Sequence, residues 1–208
     1  DRTMYSTGQY KLGRTIFRDS HRGGHGTTNF YKAIRESVNT YFYVFSQEVG
    51  VQKLAKTATD YGLGDKTGID IPGEERGLIP TPEWKKEKRK EKWLPGNLVN
   101  MSIGQGDVLT TPLQMIMVYQ GLANNGIMYK PTVVDKFVSF DGKVEVKQPE
   151  ILRKLPFKPE NIKIIREALK EPVNKPGGTA RILYFSNLPV SAKTGTAQNT
   201  GFKDNHSW

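Results

Sequence analysis

The chain has 208 residues, a formal net charge of +10 and no cysteine, a length that allows one sizeable core or a part of a larger domain. The missing thiols exclude disulfides, thiolate catalysis and cysteine-ligated zinc, and no window approaches the roughly 18 apolar residues of a membrane-spanning helix. The cation excess admits an anionic partner, yet much of it sits in Lys85-Lys86-Glu87-Lys88-Arg89-Lys90-Glu91-Lys92, a run that reads first as a solvated loop or helix face and second as a nucleic-acid or lipid contact.

Residues 1–28 are rich in Gly, Arg, Ser and Thr without a sustained apolar period, which predicts loops and one short strand. Asp19, His21 and His25 are metal-ligand types, but Gly23 and Gly24 between the histidines deny them a shared helical face, so they read as polar loop residues. Thr27-Thr28-Asn29 offers capping side chains ahead of a helix at Phe30–Glu36, where Phe30, Ala33 and Ile34 share a face. A second apolar helix carries Tyr41-Phe42-Tyr43-Val44-Phe45 toward Gly50. Between them lies Ser37-Val38-Asn39. Ser and Asn compete for backbone hydrogen bonds and favour helix ends, so a break here exposes a hydroxyl beside an amide, although a plain helix boundary needs no more than this.

An amphipathic helix follows over Val51–Tyr61, with Val51, Leu54, Ala55 and Ala58 on one stripe and Gly62 and Gly64 ending it. Gly68–Glu74 is extended and turns at Pro72-Gly73. After the basic run, Trp93-Leu94-Pro95-Gly96-Asn97 turns the chain into Asn100–Gly106, where the glycines flanking Gln105 allow tight backbone geometry. This Gly-x-Gly lacks the third glycine and the following Lys-Ser/Thr of phosphate-binding loops. Thr110 or Thr111 caps a core helix that starts at Pro112, runs through Leu113, Ile116, Met117, Tyr119 and Leu122, and stops at Asn124-Asn125-Gly126. Val133–Phe140 and Lys143–Val146 alternate around Asp141-Gly142, a hairpin signal. Pro159 opens a helix that ends at Pro172, and a loop at 175–178 precedes a helical turn at 179–183.

Pro189–Gln198 alternates small and polar residues, as a short strand with one face toward a cleft does. Lys193, Thr194 and Thr196 supply a cation, hydroxyls and backbone N–H groups, and Gly195 removes a side chain where a ligand's backbone comes close. Those donors suit an anionic, carbonyl-bearing substrate. The tripeptide also occurs as Lys66-Thr67-Gly68, so it needs partners elsewhere. Helices early and strands late predict an α+β domain.

Three stretches then fit one family. Ser37-Val38-Asn39 opening an aromatic helix, Met101–Gly106 with Thr111-Pro112-Leu113-Gln114 after it, and Lys193-Thr194-Gly195-Thr196-Ala197-Gln198 together resemble the transpeptidase domain of class B penicillin-binding proteins. Gly68–Glu74 resembles a loop of that family. Trp84, Trp93–Asn97 and the charged run between them look most like the penicillin-binding protein 2 branch, which serves cell elongation, with Asn97 where that branch is expected to carry Asp.

The resemblance implies a serine β-lactamase-like α+β fold, an antiparallel sheet with flanking helices, over residues 1–208. It also implies a peptidoglycan D,D-transpeptidase that joins stem peptides by acyl transfer from D-Ala-D-Ala, is a target of β-lactams, and needs no cofactor or metal. The family's site uses Ser-x-x-Lys, Ser-x-Asn and Lys-Thr/Ser-Gly. No serine in this chain has Lys three residues later. The chain therefore reads as a partial domain without its nucleophile or its last strands and helix, expected to be inactive alone. Asp1 opens it without Met, and nothing terminates it at Trp208.

The family pattern casts Ser37, Asn39 and Lys193 in catalysis and Thr194, Gly195 and Thr196 in substrate binding. It further implies a RodA-type glycosyltransferase and an MreC scaffold as partners, a periplasmic setting with a membrane anchor outside these residues, and no nucleic-acid role. The alternatives are a D,D-carboxypeptidase or β-lactamase of the same superfamily, a basic nucleic-acid-binding module, or a vestigial scaffold.

Overall fold

The computed structural model describes residues 2–198 and the strand residues 206–207. The chain forms two compact units: the first from Asp1–Leu54, Pro80–Val108 and Ile164–Trp208, the second from Ala55–Ile79 and Leu109–Lys163.

In the first unit, residues predicted as loops with one short strand form two antiparallel ribbons. β1 (Thr3–Ser6) pairs with β4 (Gly26–Asn29), and β2 (Gln9–Leu12) with β3 (Thr15–Arg18). Their strand tendency lies in β-branched and aromatic side chains such as Thr15, Ile16, Phe17 and Tyr10, and not in apolar alternation. The two-residue turn Gly13-Arg14, with Gly13 at φ 59°, was the readable hairpin signal. Asn29 caps α1 (Phe30–Glu36) by accepting from the Lys32 N–H at 3.0 Å. α2 (Asn39–Val49) follows after the expected break. Ala33, Val38 and Tyr41 form the buried core here, with Met4, Phe30, Phe42 and Phe45 packed around them. α3 (Val51–Asp60) carries the chain onward to the second unit.

When the chain returns, the Thr81 hydroxyl caps α4 (Pro82–Trp84), which continues as a π-helix over Lys85–Arg89 and ends at Lys90 in the left-handed region. The basic run is thus not wholly solvated. Lys85 is buried, with Nζ 2.9 Å from Asp107 Oδ2 and 3.2 Å from Glu91 Oε2. Contacts with these carboxylates, Asp107 first, raise its pKa. The expected turn at Trp93–Asn97 is instead the entry to α5 (Pro95–Met101). Pro95-Gly96 invites a turn reading, but proline also favours the first helical position. Asn97 Oδ1 accepts from the Leu94 N–H at 2.7 Å, a task that aspartate would perform equally well.

In the second unit, Thr111 and Gln114 cap α6 (Pro112–Ala123) reciprocally. Gln114 is buried and its Nε2 donates to the carbonyls of Asp65 and Arg76, both at 2.7 Å. Met117 packs with Met128 and Leu155 in a core that Tyr61, Leu152 and Phe157 border. The helix is only partly internal, because Ile116 and Tyr119 are exposed. β5 (Ile127–Tyr129) pairs with β8 (Ile151–Lys154), and β6 (Lys136–Val138) with β7 (Val144–Val146), a shorter version of the predicted hairpin.

α7 (Pro159–Asn174) runs past Pro172 instead of stopping there, and its later half belongs to the first unit. Pro172 lies in the last turn, fully buried, and its carbonyl accepts from the Ala180 N–H at 3.0 Å. A 3₁₀ turn (Arg181–Leu183) follows. The strand expected over Pro189–Gln198 is only β9 (Thr196–Ala197), paired antiparallel with β10 (His206–Ser207). Every strand pair among the described residues is antiparallel, and the mixture of helices and ribbons is the α+β class predicted.

Candidate active site

The break between α1 and α2 sets the first wall of the site. α1 ends in the left-handed region at Ser37 (φ 57°, ψ 49°), whose N–H donates to the Ala33 carbonyl. A residue with a Cβ pays about 1 kcal/mol or more in that region, so the conformation persists because its surroundings demand it. Val38 is the reason on one side: fully buried in the core, it pins the link so that Ser37 and Asn39 both border the cleft.

Asp19 is the reason on the other side. α2 has Val38 as its N-cap, a side chain that accepts no hydrogen bond, and the helix's first N–H groups would be orphaned. The buried Asp19 carboxylate supplies the missing acceptor from the end of β3. It accepts from the Asn39 N–H, from the Thr40 N–H at 3.3 Å and from the Thr40 hydroxyl at 2.6 Å, and the Ser6 hydroxyl donates to it at 3.3 Å. Its role is therefore electrostatic capping at long range in sequence, not a loop polar group. Among the described residues no group of three or more His, Asp or Glu could hold a metal. His21 Nδ1 meets the Gly24 carbonyl at 2.8 Å, and His25 Nδ1 meets Glu36 Oε2 at 3.0 Å.

The second wall is the segment leading to β9. The Ala192 N–H donates to the Leu169 carbonyl at 3.0 Å and Asn174 Nδ2 to the Val190 carbonyl at 3.1 Å, tying the segment to α7. Lys193 Nζ then reaches back 156 positions in sequence to donate to Ser37 Oγ at 2.7 Å, and also donates to the Thr194 carbonyl at 3.0 Å. Both partners are neutral. Burial consequently lowers the Lys193 pKa from the ordinary lysine value, and the ammonium remains a strong, underused donor. The Thr194 hydroxyl lies 3.0 Å from that of Thr179.

Ser37, Asn39, Lys193, Thr194, Gly195 and Thr196 all line one cleft of about 790 Å³. All six predicted site residues are brought together. Asp19, Glu36 and Gln105 also line it and were not anticipated. Burial alone would raise the Glu36 pKa, but hydrogen bonds with His25 and Arg35 leave it below the usual carboxylate range. Tyr43, under the same wall, is pushed up to about 12 by burial and by the nearby Asp19 charge, against a smaller pull from Asn39. No local pattern signals Asp19, which stands 20 positions before the first N–H it accepts from, with β4 and α1 between them. A cation, a hydroxyl, an amide and a strand edge around one cavity can bind a carboxylate and carry a proton along the Lys193–Ser37 hydrogen bond.

A family model described as the penicillin binding protein transpeptidase domain matches residues 1–208. The chain is 36% identical over 191 residues to the peptidoglycan D,D-transpeptidase MrdA of Acinetobacter baumannii, covering 88% of this chain and 27% of that protein. Among solved structures it superposes on the penicillin-binding protein PBP2 of Helicobacter pylori, in complex with MreC, with a TM-score of 0.86 and 33% identity, covering 100% of this chain and 38% of that one. It also superposes on PBP2 of Pseudomonas aeruginosa in complex with WCK 5153, with a TM-score of 0.85 and 29% identity, over 99% of this chain and 46% of that one. The chain thus spans about a quarter to a half of the length of these relatives.

Proposed function

Because the chain belongs to the penicillin-binding protein transpeptidase family, we propose that the protein carrying it is a peptidoglycan D,D-transpeptidase of cell-wall elongation. The observation that carries the reading is the 2.7 Å hydrogen bond from Lys193 Nζ to Ser37 Oγ in a cleft shared with Asn39 and Thr196. In the reaction a serine hydroxyl attacks the carbonyl carbon between two D-alanines, the C–N bond breaks, and D-alanine leaves with the proton. The amine of a neighbouring stem then attacks the ester, releases the serine and completes a cross-link.

The nucleophile and its lysine are a Ser-x-x-Lys pair outside these residues, since no serine here has the required spacing. Ser37 relays a proton between that nucleophile and the departing nitrogen. Lys193 fixes the Ser37 hydroxyl and attracts the terminal carboxylate of the substrate, which the Thr194 and Thr196 hydroxyls also reach. Asn39 donates its amide to a substrate carbonyl. The Thr196 N–H joins that of the nucleophile as the oxyanion hole, a contact whose loss typically costs ~3 kcal/mol of barrier. Gly195 leaves the strand edge open to the substrate's backbone.

By the same reading the partners are peptidoglycan stem peptides, β-lactams, a RodA-type glycosyltransferase and an MreC scaffold, and the domain works in the periplasm below a membrane anchor. Among the described residues no helix is long and apolar enough to cross a membrane. The test is acylation of the full-length protein by fluorescent penicillin. The wild type is expected to label, and Lys193→Ala and Ser37→Ala to label at least about 100-fold more slowly with an unchanged circular dichroism spectrum. Labelling of either variant at the wild-type rate removes that residue from the site.

A further inference from the structure

Gln105 closes one edge of β9. Its Nε2 donates to the Thr196 carbonyl at 2.7 Å, and its Oε1 accepts from the Gln198 N–H at 3.2 Å. A residue of a neighbouring parallel strand makes the same pair of bonds, donating to one carbonyl and accepting from the N–H two residues on. The side-chain amide thus stands in for a peptide unit opposite Ala197. The opposite edge of β9 is taken by β10, with Ala197 facing His206.

The backbone that presents Gln105 is fixed. The Gln105 and Ile103 N–H groups both donate to the Asn100 carbonyl, at 2.9 and 3.2 Å, and the Gly104 N–H donates to Met101 at 3.0 Å. Gly104 and Gly106 sit at φ 74° and 77°, a reverse course that residues with a Cβ rarely follow. Rotation about the side-chain torsions of Gln105 opens the edge without breaking any of these backbone bonds. An extended peptide adding to a strand needs the carbonyl and N–H groups that Gln105 holds, and those groups border the cleft that contains Lys193 and Ser37.

We infer that Gln105 is an edge cap that competes with the acyl donor: it occupies the 196–198 edge in the free enzyme and swings aside when a peptide-like substrate lies along β9. The pairing stands on the geometry alone, while the identity of the donor rests on the transpeptidase reading. In the full-length protein, penicillin acylation followed over a range of concentrations separates affinity before acylation from the acylation rate constant. Gln105→Ala is expected to bind penicillin about three- to tenfold more tightly, the equivalent of one or two modest hydrogen bonds, with the rate constant within about twofold of wild type. Gln105→Glu, which keeps the length and lacks the donor, is expected to gain in the same direction. Unchanged or weaker affinity in both folded variants overturns the inference.

Nuclear magnetic resonance provides a second readout on the wild type. The Gln105 side-chain amide is expected to exchange slowly with solvent in the free protein and rapidly in the acyl-enzyme, and equal protection in both states overturns the cap. A wild-type protein that takes up no penicillin would sink the transpeptidase reading instead. In that case a rapidly exchanging Gln105 amide in the free protein would still overturn the pairing.

Discussion

Asp19 decides whether the Ser37-Val38-Asn39 link keeps its shape, because its carboxylate accepts from both the Asn39 and Thr40 N–H groups. Replacing it with alanine orphans those donors inside the protein, and denaturant titration should show a loss of about 2–3 kcal/mol. Asp19→Asn turns one acceptor into a donor aimed at other donors and should recover only part of that loss. Penicillin acylation of either variant should fall by more than the unfolded fraction explains. Lys193 offers a test in pH. Burial lowers its pKa, so the ammonium that the proposed mechanism requires is lost as pH rises through a value below that of ordinary lysine. The alkaline limb of the acylation profile should therefore begin below about 10.4, and Lys193→Arg should move it upward if any activity survives. The stability sign is opposite. Between the folded and unfolded pKa values the unfolded chain holds more protons, so stability rises with pH there, and at neutral pH the buried ammonium is a net cost. Lys193→Met should accordingly raise the melting temperature while abolishing acylation.

At the scale of elements, the α1–α2 break converts a helix boundary into a site. Ser37→Gly relieves the left-handed strain and should stabilise the fold by about 0.5–1 kcal/mol while removing the hydroxyl that Lys193 meets; a calorimetric scan paired with acylation would show the two moving in opposite directions. The sequence made this break readable because Ser and Asn advertise helix ends and the flanking aromatic residues are strongly apolar. The cap on α6 was readable for the same reason, since Thr111, Pro112 and Gln114 are adjacent. What could not be read were features whose partners are distant. The Asp19 cap acts across 20 positions, the Gln105 pairing across 91, and neither has a local pattern. Only one of the four N-terminal strands was anticipated, because short ribbons of Thr, Tyr and Ile carry no clean apolar alternation, and α5 escaped notice because Pro-Gly serves both turns and helix starts. Lys85 was hidden among five other cations, and only its burial against Asp107 separates it from them.

Over the whole molecule, the charge of +10 does not by itself specify a ligand. Lys86, Lys88, Arg89, Lys90 and Lys92 are exposed or partly so along the run, and Arg89 lies over the Trp84 ring. Reversing Lys86, Lys88 and Lys90 to glutamate should leave penicillin acylation within about twofold, because none of them lines the cleft. The wild type should show no salt-resistant retention of duplex DNA, since contacts made by such a run weaken steeply with salt. The hairpin of β6 and β7 in the second unit presents only exposed side chains along both strands, and exchanging Ser139–Lys143 for a Gly-Ser turn should likewise spare acylation.

The span between Ser37 and Lys193 also has a consequence in time. A ribosome adding about 5–20 residues per second delivers the ammonium roughly eight to thirty seconds after the hydroxyl that it meets. Throughout that interval the aromatic core around Val38 can assemble, but the Lys193 side of the cleft has not yet been made. A chain whose translation halts before Lys193 would carry the Ser37 hydroxyl without the ammonium that meets it.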